Sequence, residues 1–362
     1  MKYRTLGNSG TAVSKIALGT MYFGSENTED EAFALLDAFI EAGGTMLDTS
    51  DVYSDTLAER TVGRWLAARP SEITDRVVLA TKGRYTTGPD VNDVGLSRRH
   101  LSRALDASLR RLGVERVDLY QMHGWDAHTP IEETLSFLDD AIRAGKIYYA
   151  GLSNFTGWQL QLAVSTAKAM GVHVPLTLQQ QYSLLSRESE YEMVPAALHN
   201  NIGLLPWSPL AGGFLTGKYK RGTTPAPGTR AGGDNPLYRY VSSQYSASDR
   251  NWATIDETAR IAKETGATPA QVALSWIADR PGVIAPVYGA RTLHQLHDGI
   301  AAADLTLDDE ATHALDKVSA PTPGDYPYGP FGVAQRDRRL QGGDQALGDL
   351  VSQGSAHPLG HP

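Results

Sequence analysis

The sequence predicts an α/β fold, a single (β/α)8 barrel, and three observations carry that expectation. Short apolar runs alternate with helical stretches along most of the chain, eight such runs in all, and strands separated by helices pair in parallel with both faces covered. Eight repeats favour a closed barrel over an open sheet. No G-x-G-x-x-G follows a strand and no G-x-x-x-x-G-K-[ST] occurs, which weakens the doubly wound alternative. Length alone, 362 residues, would suggest two domains, but barrels reach that size as one unit. The expected division is a barrel over 1–320 and a tail over 321–362, partly disordered or covering the pocket.

The elements follow in order. The opening "YRTLGNSGTAVSKIALGT" reads as a hairpin turning near Asn8-Ser9-Gly10, with "IALGT" as the first barrel strand. Thr28 and Glu31 form a capping box ahead of Phe33, Leu36, Phe39 and Ile40, and Gly43-Gly44 ends that helix. "TMLDTS" is a buried strand, followed by a helix through Val62, Trp65 and Leu66 and the strand "RVVLATK". Ser97 starts a helix with Leu101, Leu105, Leu109 and Leu112 on one face, stopped by Gly113 before "VDLYQMH". Thr129-Pro130 opens the next helix, which Gly145 closes before "IYYAGLSN". Thr156–Gly171 repeats the pattern before "PLTLQQQY", and a helix near Glu192–Asn200 precedes "GLLPWSPL". Helices around Ser248–Thr265 and Pro269–Ala278 precede "VIAPVYGAR". Residues 211–250 read as a long Gly/Pro-rich loop, a lid over the top of the barrel.

Composition narrows the function. A net charge of −8 argues against a nucleic-acid or anionic-membrane surface. The absence of cysteine excludes disulfides, thiolate zinc sites and cysteine nucleophiles. No metal site is expected. The start has no apolar leader-like stretch and no run of eighteen apolar residues occurs, so the expected compartment is the cytoplasm. The glycosylation-like triplet at Asn154 reads as chance in that setting.

In such a barrel the chemistry gathers where the strands finish. The last residues of the runs are Thr20, Asp48, Lys82, His123, Ser153 with Asn154, Gln179, Trp207 and Gly289. Taken singly each has an ordinary role: Asp48 and Ser153-Asn154 as helix caps, Lys82 as a surface cation, His123 and Trp207 as satisfied core. Their convergence on one rim is what argues for function. A buried Lys82 keeps its charge only beside an anion, which Asp48 on the neighbouring strand is placed to supply. Tyr53 falls in the loop above. A phenol of pKa about 10 is a reluctant acid, and the adjacent ammonium is expected to lower that value and make Tyr53 a workable general acid. His123 can reach the same substrate oxygen. The set suits proton delivery to a carbonyl oxygen becoming an alkoxide. It holds no evident nucleophile, so hydride must come from elsewhere.

The residues resemble the aldo-keto reductase superfamily over roughly 1–318, through "LDTSDVY", "LATKGR", "LYQMHGWD", "GLSNF", "LQQQYSLLSR", "PWSPLAGGFLTGKY" and "GARTLHQLHDGI". The resemblance implies NADPH-dependent reduction of aldehydes or ketones, with Asp48, Tyr53, Lys82 and His123 as the tetrad and Tyr53 as proton donor. It implies a cofactor path that begins at Gly19, Thr20, Met21 and Asp48. Ser153, Asn154 and Gln179 would clamp the nicotinamide carboxamide while Trp207 stacks on one face of the ring. Ser208, Pro209, Leu210, Gly212 and Lys218 would line the pyrophosphate, and Gly289, Arg291, Gln295 and Asp298 the adenosine end, with Arg291 pairing a 2′-phosphate. Relatives often carry Asn after the acid of the last motif, where this chain has Gly299, and many carry Tyr where it has Trp207. Met21, Tyr22, Tyr53, His123 and Trp125 would form an apolar, aromatic-lined pocket for a small carbonyl compound. A glycoside-cleaving barrel would need two facing carboxyls, and Asp48 with Asp51 or Asp126 leaves Lys82 and Tyr53 unexplained. The remaining alternative is an NADPH-binding, redox-sensing regulatory subunit with little turnover, as channel β-subunits exemplify.

Overall fold

The computed structural model describes residues 1–336, so most of the expected tail, including "QGSAHPLGHP", lies outside the described residues. An antiparallel hairpin, β1 (Tyr3–Thr5) and β2 (Ala12–Ser14), opens the chain. The strands β3 (Ala17–Gly19), β4 (Met46–Asp48), β5 (Val78–Gly83), β6 (Val117–Met122), β7 (Ile147–Ser153), β8 (Thr177–Gln181), β9 (Gly203–Trp207) and β10 (Val287–Tyr288) follow. They form a closed parallel barrel in which each strand lies beside its predecessor and β10 bridges β9 to β3. Helices outside the barrel connect the strands, as the alternation predicts.

The helix starts obey local chemistry. Thr28 and Glu31 make the reciprocal capping box of the Glu29–Glu41 helix, Ser97 caps Arg98–Leu112, and Thr268 with Gln271 boxes the start of Pro269–Ala278. Each satisfies backbone N–H groups that the first turn leaves without partners.

Two separate cores result from the alternation of side chains along each strand. Leu18, Leu47, Leu79, Tyr120, Leu152, Leu178 and Leu204 face outward and pack with the helices. Ala17, Met46, Val78, Ala80, Leu119, Leu205 and Val287 form a second cluster, joined by Leu6 and Val13 from the hairpin. That second cluster fills the lumen, and the hairpin plugs its lower end. Reading upward in steps of two from these lumen residues gives Asp48, Lys82, Gln121 and Trp207, so the site residues continue the inward face.

One expectation needs correction. Residues 211–250 are not an uninterrupted loop: they hold a short 3-10 segment, Ala211–Thr216, and an 11-residue helix, Pro236–Ser246, started by Asn235 and Pro236. In the tail, a short helix, Pro330–Ala334, follows Tyr328, whose ring stacks on Tyr191. No described helix is long and apolar enough to cross a membrane.

Candidate active site

The register sets the central charge pair. Asp48 lies opposite Ala80 on β5, and Lys82 is two residues further along the same face. Lys82 is 0% and Asp48 1% exposed, and Lys82 Nζ donates to Asp48 Oδ2 at 2.5 Å and to the Thr49 carbonyl at 2.9 Å. Nζ also lies 3.2 Å from Tyr53 Oη and 4.8 Å from the centre of the Tyr53 ring. The other oxygen of Asp48 accepts from Gln179 Nε2 at 2.9 Å and Gln121 Nε2 at 3.2 Å. A buried carboxylate satisfied on both oxygens holds its cation firmly. Burial pulls the Lys82 pKa down, but Asp48 and Tyr53 outweigh it and the ammonium is held above its usual value.

Tyr53 departs from expectation. Burial pushes its phenol above 10, and the attraction and hydrogen bond of Lys82 offset only part of that rise. The expected net lowering is therefore absent in this site, because the same enclosure that brings Lys82 close also strips the phenolate of water.

His123 sits beside this pair, its ring edge-on to Tyr53 at 5.7 Å and to Tyr85 at 4.7 Å. Burial first, then the charges of Lys82 and Arg84, hold its pKa well below 6.5, so the imidazole is neutral at ordinary pH. Its Nδ1 lies 3.1 Å from Ser50 Oγ, which in turn lies 3.1 Å from Asp51 Oδ1.

The residues expected around the nicotinamide converge on the same rim, and in part they bind one another. Asn154, with φ of 56°, donates to the His123 carbonyl at 2.9 Å and accepts from Trp207 Nε1 at 3.0 Å. Ser153 Oγ accepts from Asn154, and Thr20 Oγ1 donates to the Asp48 carbonyl. Gln179 gives an amide hydrogen to Asp48, so its expected place in the carboxamide clamp is shared with support of the charge pair. Met21 accepts at its carbonyl from Ser54 Oγ. Gly19 and Gly289 line the rim near Tyr22, where a Cβ on Gly289 would stand 2.9 Å from the Tyr22 ring.

Further out the chain turns sharply through Ser208, Ala211, Gly212 and Gly213, all with positive φ. Pro209 and Leu210 are buried beneath that turn. Lys218 follows, and burial together with the nearby charges of Arg291 and Arg230 lowers its pKa. Like charges gathered this way are suited to a polyanion. Arg230, which the sequence reading passed over, is held between Tyr22 at 5.2 Å and Tyr238 at 4.4 Å. Arg291 pairs with Glu26 at 3.0 Å, and its backbone N–H donates to Gln295. Asp298 is occupied otherwise: it accepts from Thr268 and Gln271 at the start of the Pro269–Ala278 helix. Gly299 has a physical reason, since a Cβ there would come within 2.2 Å of the Tyr288 ring.

Aromatic rings gather beside the site. Trp125 meets Phe155 at 5.3 Å and Trp158 at 5.5 Å, both edge-on. Asp126, the other candidate carboxyl, instead accepts from Leu96 N, His128 N and Thr129 Oγ1. Sequence reading also missed Gln121 and Ser50, although Gln121 lies level with Lys82 on the next strand and Ser50 two residues after Asp48.

Comparisons with known proteins agree with this geometry. The Aldo/keto reductase family matches residues 15–320. An uncharacterized oxidoreductase of Bacillus subtilis (strain 168) is 36% identical over 90% of this chain and 97% of its own. The versiconal hemiacetal acetate reductase of Aspergillus parasiticus is 33% identical, over 89% and 98% respectively. A protein named as a probable voltage-gated potassium channel subunit beta in Oryza sativa subsp. japonica is 35% identical, over 88% and 96%. With its closed barrel and these relatives, the chain belongs to the aldo/keto reductase family.

Proposed function

We propose that the protein is an NADPH-dependent carbonyl reductase that turns an aldehyde or ketone into an alcohol, with Tyr53 giving the proton. The observation that most supports this reading is Lys82 Nζ, bonded to Asp48 at 2.5 Å and placed 3.2 Å from Tyr53 Oη, with the His123 ring edge-on to Tyr53. When bound, NADPH supplies a hydride to the carbonyl carbon. The chain's own residues handle the oxygen. His123 and Tyr53 converge on it, the Tyr53 O–H passes its proton to the developing alkoxide, and the Lys82 ammonium steadies the phenolate left behind. A raised phenol pKa keeps Tyr53 protonated until that moment. Asp48 keeps Lys82 charged throughout.

The residues fit the nucleotide. The turn through Gly212 and Gly213 allows close backbone approach, and Lys218, Arg230 and Arg291 form a cationic patch matched to phosphates. Trp207, Asn154 and Ser153 would hold the nicotinamide end, and Arg291 would favour NADPH over NADH. The aromatic walls from Tyr85, Trp125 and Trp158 suit a flat or apolar carbonyl compound.

The test is NADPH oxidation across aromatic, aliphatic and sugar-derived carbonyls, repeated with Tyr53→Phe. The wild type is expected to turn over, with the variant slower by on the order of 10²-fold or more and NADPH affinity nearly unchanged. Tight NADPH binding with negligible reduction of every carbonyl would replace this reading with a redox-sensing subunit. A large loss of cofactor affinity in Tyr53→Phe would remove the phenol from its assigned role.

A further inference from the structure

Asp51 stands behind His123, away from the pocket. Its Oδ1 lies 3.1 Å from Ser50 Oγ, and that hydroxyl in turn lies 3.1 Å from His123 Nδ1. All three side chains are buried. Nδ1 is thereby engaged with the chain's interior, which leaves Nε2 for the substrate side.

A hydroxyl both donates and accepts, so this chain can run in two directions. With Asp51 protonated, its O–H donates to Ser50, Ser50 donates to Nδ1, and the ring proton sits on Nε2. With Asp51 ionised, Ser50 donates to Oδ1, Nδ1–H donates to Ser50, and Nε2 carries a lone pair. The two states differ by one proton. Each hydrogen moves one place along the chain, and the proton on Nε2 leaves into the pocket.

We propose that Asp51, relayed through Ser50, selects the tautomer of His123 and so decides whether Nε2 donates to a carbonyl oxygen or accepts from an alcohol. Asp51 is thus a positioning residue that sets the donating form of His123 for carbonyl reduction when protonated and withdraws that donor when ionised. The inference rests on reading the pocket as a carbonyl-reducing site.

The surroundings favour a switch in the working range. Asp51 Oδ2 is buried with no hydrogen-bond partner among the described residues, an environment that penalises a carboxylate. Burial and the charge of Glu59 lift its pKa to about 7, against the Ser50 hydrogen bond and the charges of Arg111 and Lys82. Tyr120, His123 and Lys82, which also face the relay, do not titrate there. Tyr120, on β6, is pushed well above 10 by burial and by Asp51 and Glu59. His123 is held well below 6.5 by burial, Lys82 and Arg84. Lys82 stays cationic beside Asp48, and Glu59 is locked to Arg111 at 2.6 Å and accepts from Thr81.

The experiment reads the imidazole directly by ¹⁵N NMR, with His123 assigned through His123→Asn. The expected result is an Nε2-protonated ring near about pH 5.5 converting to the Nδ1-protonated form by about pH 8.5. Asp51→Asn and Ser50→Ala should both abolish the conversion. In parallel, kcat/KM for reduction should fall about tenfold as pH rises through about 7 in the wild type, and that inflection should be lost in both variants. A single tautomer across the range, or a conversion that survives in both variants, would overturn the proposal. The NMR arm needs no turnover, so failure to reduce any carbonyl would sink the functional reading while leaving the relay separately decided.

Discussion

Lys82 is the residue on which the site's electrostatics turn, because its ammonium is enclosed and answered by one carboxylate. Removing the cation leaves Asp48 charged and unpaired in the lumen, so Lys82→Met should cost on the order of 3–5 kcal/mol of stability and abolish turnover. Denaturant unfolding and steady-state rates check both; full activity would refute the coupling of Lys82 to Tyr53. The pairing itself was legible in the sequence, since strand ends on adjacent strands bring Asp48 and Lys82 together. The net direction of the Tyr53 pKa was not, because neighbours along the chain reveal an adjacent charge but not how completely water is excluded. Asp51 carries a pH signature of the opposite kind. Its folded pKa of about 7 stands above the unfolded 3.8, so the native state binds more protons between those values. Stability from this group is present at low pH and is lost as pH rises through 7. Asp51→Asn should therefore match the wild type near about pH 4 and exceed it by up to on the order of 4 kcal/mol near about pH 8. A constant difference across that range would show that Asp51 does not titrate as described.

The elements around the rim divide into those whose pattern announces them and one that hides. Helices such as Arg98–Leu112 carry a leucine stripe and a capping serine, and they appear where the spacing puts them. The Pro236–Ser246 helix has only Tyr245 buried, with Leu237 and Tyr240 exposed. With no apolar stripe to read, the Gly- and Pro-rich flanks dominated, and the usable signal was Asn235-Pro236 as cap and first turn. That helix supplies Tyr238, which with Tyr22 grips Arg230 across the top of the barrel. The segment is therefore tied to the barrel by a guanidinium between two rings and by Gln181 of β8, whose amide donates to Tyr245 Oη at 2.7 Å. Arg230→Ala should raise the NADPH dissociation constant about tenfold, chiefly through faster release, as loss of a cation–π contact and a phosphate-facing charge would give. Stopped-flow displacement measures this, and an unchanged off-rate would deny Arg230 that role. At the end expected to hold adenosine, neither the use of Asp298 on the neighbouring helix start nor the Tyr288 ring over Gly299 could be read from spacing, because both depend on contacts between distant segments.

At the scale of the whole molecule the barrel was the most legible feature, since alternation of strand and helix is a local pattern repeated eight times. What alternation does not disclose is that the hairpin carrying Leu6 and Val13 closes the lumen from below. The interior is consequently packed and closed from below, with the Asp48–Lys82 pair buried in it and Lys218, Arg230 and Arg291 on its lip. Mobile ions screen charges over about 8 Å in physiological salt, and they have access to the lip alone. Added salt should therefore raise the KM for NADPH while leaving kcat nearly flat, and a matching fall in kcat would mean that dissolved ions reach Asp48 and Lys82. On the proposed reading, dielectric separates two jobs: capture of the nucleotide is tuned by the medium, and the proton's departure from Tyr53 is insulated from it.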